Sequence, residues 1–139
     1  MRQYAHFNEE ECHPIGQYGS FFPTVIANPS LYIEAQPELK ETLLTLKNRG
    51  IKLFVGTNSH YEYMCVIMTA TFGEDWLQIF DLKLANCRKP LFFRDPNAPF
   101  YCVDESSRVM KGTAIANGAD LQPDFCYLEG NANIVHQYY

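Results

Sequence analysis

The sequence has no apolar run approaching the ~20 residues that a membrane-spanning helix requires, so no membrane partner is expected. Its opening, Met1-Arg2-Gln3-Tyr4-Ala5-His6, lacks the apolar core of a secretory signal. Positive charge is scarce: 11 Lys and Arg stand against 16 Asp and Glu, a formal charge of -5 and a pI near 5.3. With no basic stripe to neutralise a phosphodiester backbone, no nucleic-acid polymer is expected as a partner. The five cysteines (Cys12, Cys65, Cys87, Cys102, Cys126) never form a C-x-x-C pair and are odd in number. That is the usage of reduced thiols packed as small hydrophobes, and it predicts a cytoplasmic protein. Internal repeats and low-complexity tracts are absent as well.

What remains is a chain built to fold. Its 139 residues are 47% hydrophobic and 19% charged, enough for one globular domain with a real core and too few for two. Residues 1–18 read as a leader or loop, since Asn8 to Pro14 is polar and acidic without a period. Glu11-Cys12-His13 could be taken for a metal site, but three adjacent residues rarely converge on one ion, and no metal ligand is assigned. The domain is predicted over 19–139. Phe21 to Ile26 is apolar but interrupted by Pro23, which suggests an irregular packed segment or a sheet edge.

The organised region begins at Pro37. Proline in a first helical turn, Leu39, Leu43 and Leu46 on one face, and Gly50 as a stop predict a helix over 37–49. Ile51 to Val55 reads as a short buried strand. Ser59-x-x-Glu62 is a capping-box pattern, so a second helix is predicted just after Ser59, with Met64, Ile67, Met68 and Phe72 inward and Gly73 at its end. Asp75 is expected to cap a short turn through Trp76 and Ile79. Leu82 to Ala85 is the next strand, and Pro90 halts that element after Lys89. Helix, strand, helix, strand is the rhythm of an α/β fold with a parallel sheet flanked by helices. Farther on, Phe100 to Val103 reads as a short strand in a hairpin and 104–123 as a polar excursion. Phe125 to Leu128 is extended, and a helix opened by Gly130-Asn131 runs to Tyr139, where the domain looks cut short.

In parallel sheets, ligands collect beyond the carboxyl ends of strands, where the next helix starts. Gly56-Thr57-Asn58-Ser59 stands at such a place. Gly56 permits close approach, Thr57 offers a hydroxyl, Asn58 a carboxamide, and free amides there suit an anion such as phosphate. Turn and cap formation alone would also account for these residue types. Lys89, just past the following strand, can address the same rim and bring a compact positive charge to phosphate oxygens, while Arg88 is expected to point to solvent. A thiol nucleophile, Cys65 or Cys126 with His60 or His136, is a poor third choice, because Cys65 lies inside a helix and no base is placed beside either sulfur.

Taken together, Leu53 to Ser59, Tyr61 and Tyr63, Met68-Thr69, Phe72-Gly73, Trp76, Phe80-Asp81-Leu82 and Lys89-Pro90-x-Phe92-Phe93 resemble the haloacid-dehalogenase (HAD) type 5′-nucleotidase family. Phe22-Pro23, Asn28-Pro29-x-x-Tyr32 and Gly130-Asn131-Ala132 follow the same order, so the likeness runs from about Gly19 to Tyr139. The resemblance implies a partial HAD-like Rossmannoid fold and hydrolysis of nucleoside 5′-monophosphates through an aspartyl-phosphate in the complete protein. It implies Thr57, Asn58 and Lys89 as phosphate-binding residues, Lys89 also as a catalytic residue, and nucleotide or phosphate as partner. It further implies Mg²⁺ in the complete protein and none held by this chain alone. The family's upstream Asp-x-Asp motif is absent from the sequence, as is the downstream acidic metal-binding motif, and His60 stands where the purine enzyme has an aspartate. The chain alone is therefore expected to be inactive. A non-catalytic phosphate-binding or protein-interaction module on a degenerate HAD scaffold is the alternative, and aromatic richness makes a homo-oligomer possible in either case.

Overall fold

A computed structural model describes residues 21–103 and 114–139. The acidic stretch of 1–18, including Cys12, and the first half of the 104–123 excursion lie outside the described residues. Helix α1 (Phe21–Ala27) replaces the irregular segment predicted there. Pro23 falls within the first turn, where its missing N–H removes no helical bond. Phe22 and Val25 are buried, and Phe22 packs edge-on against Tyr63 at 4.8 Å. A 3-10 turn at Pro29–Leu31 then leads to α2 (Pro37–Asn48), with Gly50 just beyond it at φ 84°. The first leucine of the predicted face, Leu39, remains 45% exposed, and Leu43 and Leu44 make the core contacts instead.

Strand β1 is only Phe54–Gly56, shorter than the predicted 51–55, because Ile51 and Lys52 are exposed before pairing begins. Helix α3 (Tyr61–Phe72) buries Met64, Met68 and Phe72, and Gly73 closes it at φ 91°. His60, not Ser59, occupies its cap position, and no side chain caps it. A 3-10 turn at Trp76–Gln78 follows, where Asp75 spends its carboxylate on Lys40 at 2.6 Å and not on a cap. Strand β2 (Leu82–Ala85), the short helix α4 (Leu91–Arg94) and β3 (Phe100–Cys102) come next. The excursion contains β4 (Ala114–Ile115) and a 3-10 turn at Gly118–Asp120. The chain ends in β5 (Cys126–Glu129) and α5 (Ala132–Tyr138), the latter capped by Asn131.

The sheet runs in the order β1-β2-β5-β3-β4. β1, β2 and β5 are parallel, while β3 lies antiparallel to β5 and β4 antiparallel to β3. The parallel part is thus extended by the expected hairpin into a mixed α/β sheet. Alternation along each strand divides the core between two layers. Ala85, Cys126 and Leu128 face α3 and α2, whereas Leu82, Leu84, Phe100 and Tyr127 face α5 and Phe92 of α4. Gly118 lies directly on α5: a Cβ there would come within 2.4 Å of the Ile134 carbonyl and 2.6 Å of the Tyr138 nitrogen.

Candidate functional site

The carboxyl ends of β1, β2 and β5 open onto one rim, and their following loops are stitched together there. The Thr57 N–H donates to the Leu84 carbonyl at 2.9 Å, which carries the β1–β2 ladder one residue beyond the strand. The Cys87 and Asn86 amides donate back to the Thr57 and Ser59 carbonyls at 2.9 and 2.8 Å. Thr57 Oγ1 accepts the Ser59 N–H at 3.0 Å and lies 3.1 Å from Ser59 Oγ, a local turn that fixes the hydroxyl pair at the mouth of the loop.

Lys89 reaches this same lip. Its Nζ donates to the Gly56 carbonyl at 2.9 Å, the residue immediately before Thr57, and its side chain is exposed. Asn58 holds the lysine's backbone with both ends of its carboxamide. Oδ1 accepts the Lys89 N–H at 2.7 Å, and Nδ2 donates to the Lys89 carbonyl at 3.1 Å. The structure therefore brings Thr57, Asn58 and Lys89 together, with one Nδ2 hydrogen of Asn58 not used in that grip. The sequence offered no sign that Asn58 would face the Lys89 backbone.

Arg88 is 47% exposed at its side chain, in line with expectation, and its Nη2 also meets Glu129 Oε1 at 2.9 Å, tying the loop after β2 to the end of β5. Among the described residues, non-glycine positions with positive φ are Asn86 (47°), Arg88 (53°) and Glu129 (63°), all on this rim. Each such conformation costs of order 1–3 kcal/mol, and strain of this kind collects where geometry serves a site. Gly130 follows at φ 75°, with the Phe100 ring so close that a Cβ would lie 2.1 Å from it.

Lys89 brings positive charge to the rim, where the charge of Arg88 is matched by Glu129. Cys87 stays a neutral thiol, since burial pushes it up to about 11 against a smaller opposing effect from Lys89. Burial also holds the His60 imidazole below its ordinary range, opposed by Glu62. Neither cysteine suggested for thiol chemistry is on the rim: Cys65 lies within α3, and Cys126 is buried at the start of β5. Among the described residues, no group of three or more His, Cys, Asp or Glu comes together to hold a metal ion.

Comparison with known proteins gives the context of this rim. A family model described as the 5′ nucleotidase family matches residues 9–139. Human 5′-nucleotidase domain-containing protein 1 is 36% identical over 76 residues, 54% of this chain and 17% of that protein. A 5′-nucleotidase domain-containing protein of Dictyostelium discoideum is 37% identical over 82 residues, 54% of this chain and 14% of its own length. Human 5′-nucleotidase domain-containing protein 2 is 36% identical over 74 residues, 53% and 14% respectively. The chain thus covers less than a fifth of the length of these relatives.

Proposed function

Since the chain belongs to the 5′ nucleotidase family, we propose that its rim holds the phosphoryl group of a nucleoside 5′-monophosphate, as part of a HAD-type phosphohydrolase. One observation carries the reading: at the open lip of a parallel sheet the Lys89 ammonium sits on the Gly56 carbonyl, one residue before Thr57, while Asn58 grips the Lys89 backbone. An incoming phosphate would exchange the Gly56 carbonyl partner of Lys89 for charged oxygens, a stronger contact. Thr57 and the amides of its loop would donate to the remaining oxygens.

In the complete protein, an aspartate outside this sequence would attack phosphorus and release the nucleoside as its 5′-hydroxyl. Water would then cleave the aspartyl-phosphate to inorganic phosphate. This chain's residues would hold and orient the phosphoryl oxygens through both steps. The Mg²⁺ implied by the family resemblance would be held by other residues of the complete protein. The chain by itself would bind without turnover. A cytoplasmic location belongs to the same proposal and rests on the scattered cysteines. Self-association does too, resting on the edge position of β1 and on Phe54, which is 49% exposed.

Calorimetric titration of the 139-residue chain tests the proposal. Inorganic phosphate and a nucleoside 5′-monophosphate should bind, the parent nucleoside should not, and Lys89→Ala should abolish most of the affinity. Absence of binding, or binding indifferent to both Lys89→Ala and Thr57→Val, would reject it. The alternative reading is a module that binds phosphate and never hydrolyses it. Phosphate release by a longer form of the protein that includes the acidic motifs would exclude that reading.

A further inference from the structure

We infer that Arg88 and Glu129 form a clasp that positions Lys89 on the rim, an inference that adds two residues to the phosphate-holding reading and rests on it for its purpose. Lys89 hangs on a loop that leaves β2 and must bend back over β1 for its Nζ to reach the Gly56 carbonyl at 2.9 Å. On the β1 side, the Asn58 carboxamide fixes its peptide groups. On the other side, the preceding residue is pulled the opposite way, with Arg88 Nη2 at 2.9 Å from Glu129 Oε1. Lys89 is thus stretched between two anchors on the two strands flanking its own.

The Glu129 anchor is rigid. Its backbone is left-handed, and the next residue, Gly130, is pressed on the Phe100 ring and donates its N–H to the Pro99 carbonyl at 3.1 Å. Asn131 then fastens the corner, capping α5 while its Nδ2 donates to the Pro96 and Ala98 carbonyls. Glu129 is 17% exposed at its side chain, so its carboxylate is largely withdrawn from water and holds the guanidinium in a set direction. The left-handed φ of 53° at Arg88 is what lets the guanidinium face β5 while the next side chain faces β1. The pair also covers a carboxylate that would otherwise repel an anion on this rim. Arg88 and Glu129 are positioning residues; neither is assigned a contact with substrate.

The test reads Lys89 itself. Each lysine of the 139-residue chain is acetylated with acetic anhydride, and site-by-site rates are followed by mass spectrometry, without phosphate present. Arg88→Ala and Glu129→Gln should each raise the Lys89 rate roughly two- to fivefold, the scale of a partly exposed ion pair. The rate at Lys52, 64% exposed and remote from the clasp, should not change. The reversed pair, Arg88→Glu with Glu129→Arg, should return Lys89 to its original rate. An unchanged Lys89 rate, a rise shared by every lysine, or no recovery in the reversed pair would each overturn the clasp. Phosphate titration of Lys89→Ala judges the phosphate reading separately, so the two can fail independently. If both hold, Arg88→Ala weakens phosphate binding by a similar roughly two- to fivefold factor with the melting temperature unchanged.

Discussion

The two ends of the parallel strands treat their lysines in opposite ways. At the amino end, Lys83 of β2 is 2% exposed and donates to the Phe80 and Pro123 carbonyls. Beside it Lys47 donates to the Gln78 and Ile79 carbonyls, and the nearly buried Asp81 accepts the Leu53 N–H at 2.8 Å. Lys47 and Lys52 also lie within 3.9 and 3.7 Å of the Asp81 carboxylate. Charge there is consumed in holding strand starts together, and burial pushes the Lys83 amine below its ordinary range. At the carboxyl end, Lys89 is exposed and leans on one carbonyl, in loops that carry the left-handed residues. A buried lysine with fixed acceptors is structural, whereas one at a strained, open lip can exchange its partner for a ligand.

That contrast can be broken most directly at Lys89. Lys89→Ala should cost about 1.5–3 kcal/mol of phosphate binding, roughly tenfold or more in affinity, while the urea midpoint stays put. A fallen midpoint with intact affinity would make the two ends alike. Lys83→Met should do the reverse. With the Phe80 and Pro123 carbonyls left without their donor, stability in urea unfolding should drop by about 1–3 kcal/mol, with no change in phosphate titration. Thr57→Val should show a smaller, mixed loss, about 0.5–1.5 kcal/mol in binding with some stability, because its oxygen also accepts the Ser59 N–H.

The smallest effect concerns His60, at the cap of α3 next to the rim. Burial lowers its pKa, so the unfolded chain takes up a proton at about 6.5 while the folded chain resists until lower pH. In that window the unfolded state binds more protons, and stability falls as pH falls below about 6.5 until the folded pKa is passed. Urea midpoints measured across the window should show this slope, and His60→Gln should flatten it.

Much of this is legible in the sequence. Pro37 and Gly50 bounded α2, Gly73 bounded α3, and the apolar runs at Leu82–Ala85 and Cys126–Leu128 became central strands. Thr57 and Lys89 could be assigned to one rim because successive parallel strands end on the same side. What escaped depends on contacts between residues distant in sequence. Lys83 looks like any polar break in an apolar strand, and only the β1–β2–β5 order encloses it. The Arg88–Glu129 pair requires left-handed backbone at two residues whose types do not announce it, and Asn58 carries no mark of its grip on a backbone distant in sequence. Pro23 misled because a proline in a first turn and one at a sheet edge look alike until the helix is seen.

Gly118 carries a consequence well beyond its own turn. With no side chain, it lets the turn press into the main chain of α5, and the Gln137 side chain reaches back to its amide at 3.2 Å. The first residue before that helix, Asn131, is also the fastener of the 96–98 loop and of the corner bearing Glu129. A single added methyl at 118 would collide with the main chain of α5, so the seating of the helix whose cap residue fastens that corner depends on a bare position in a separate turn.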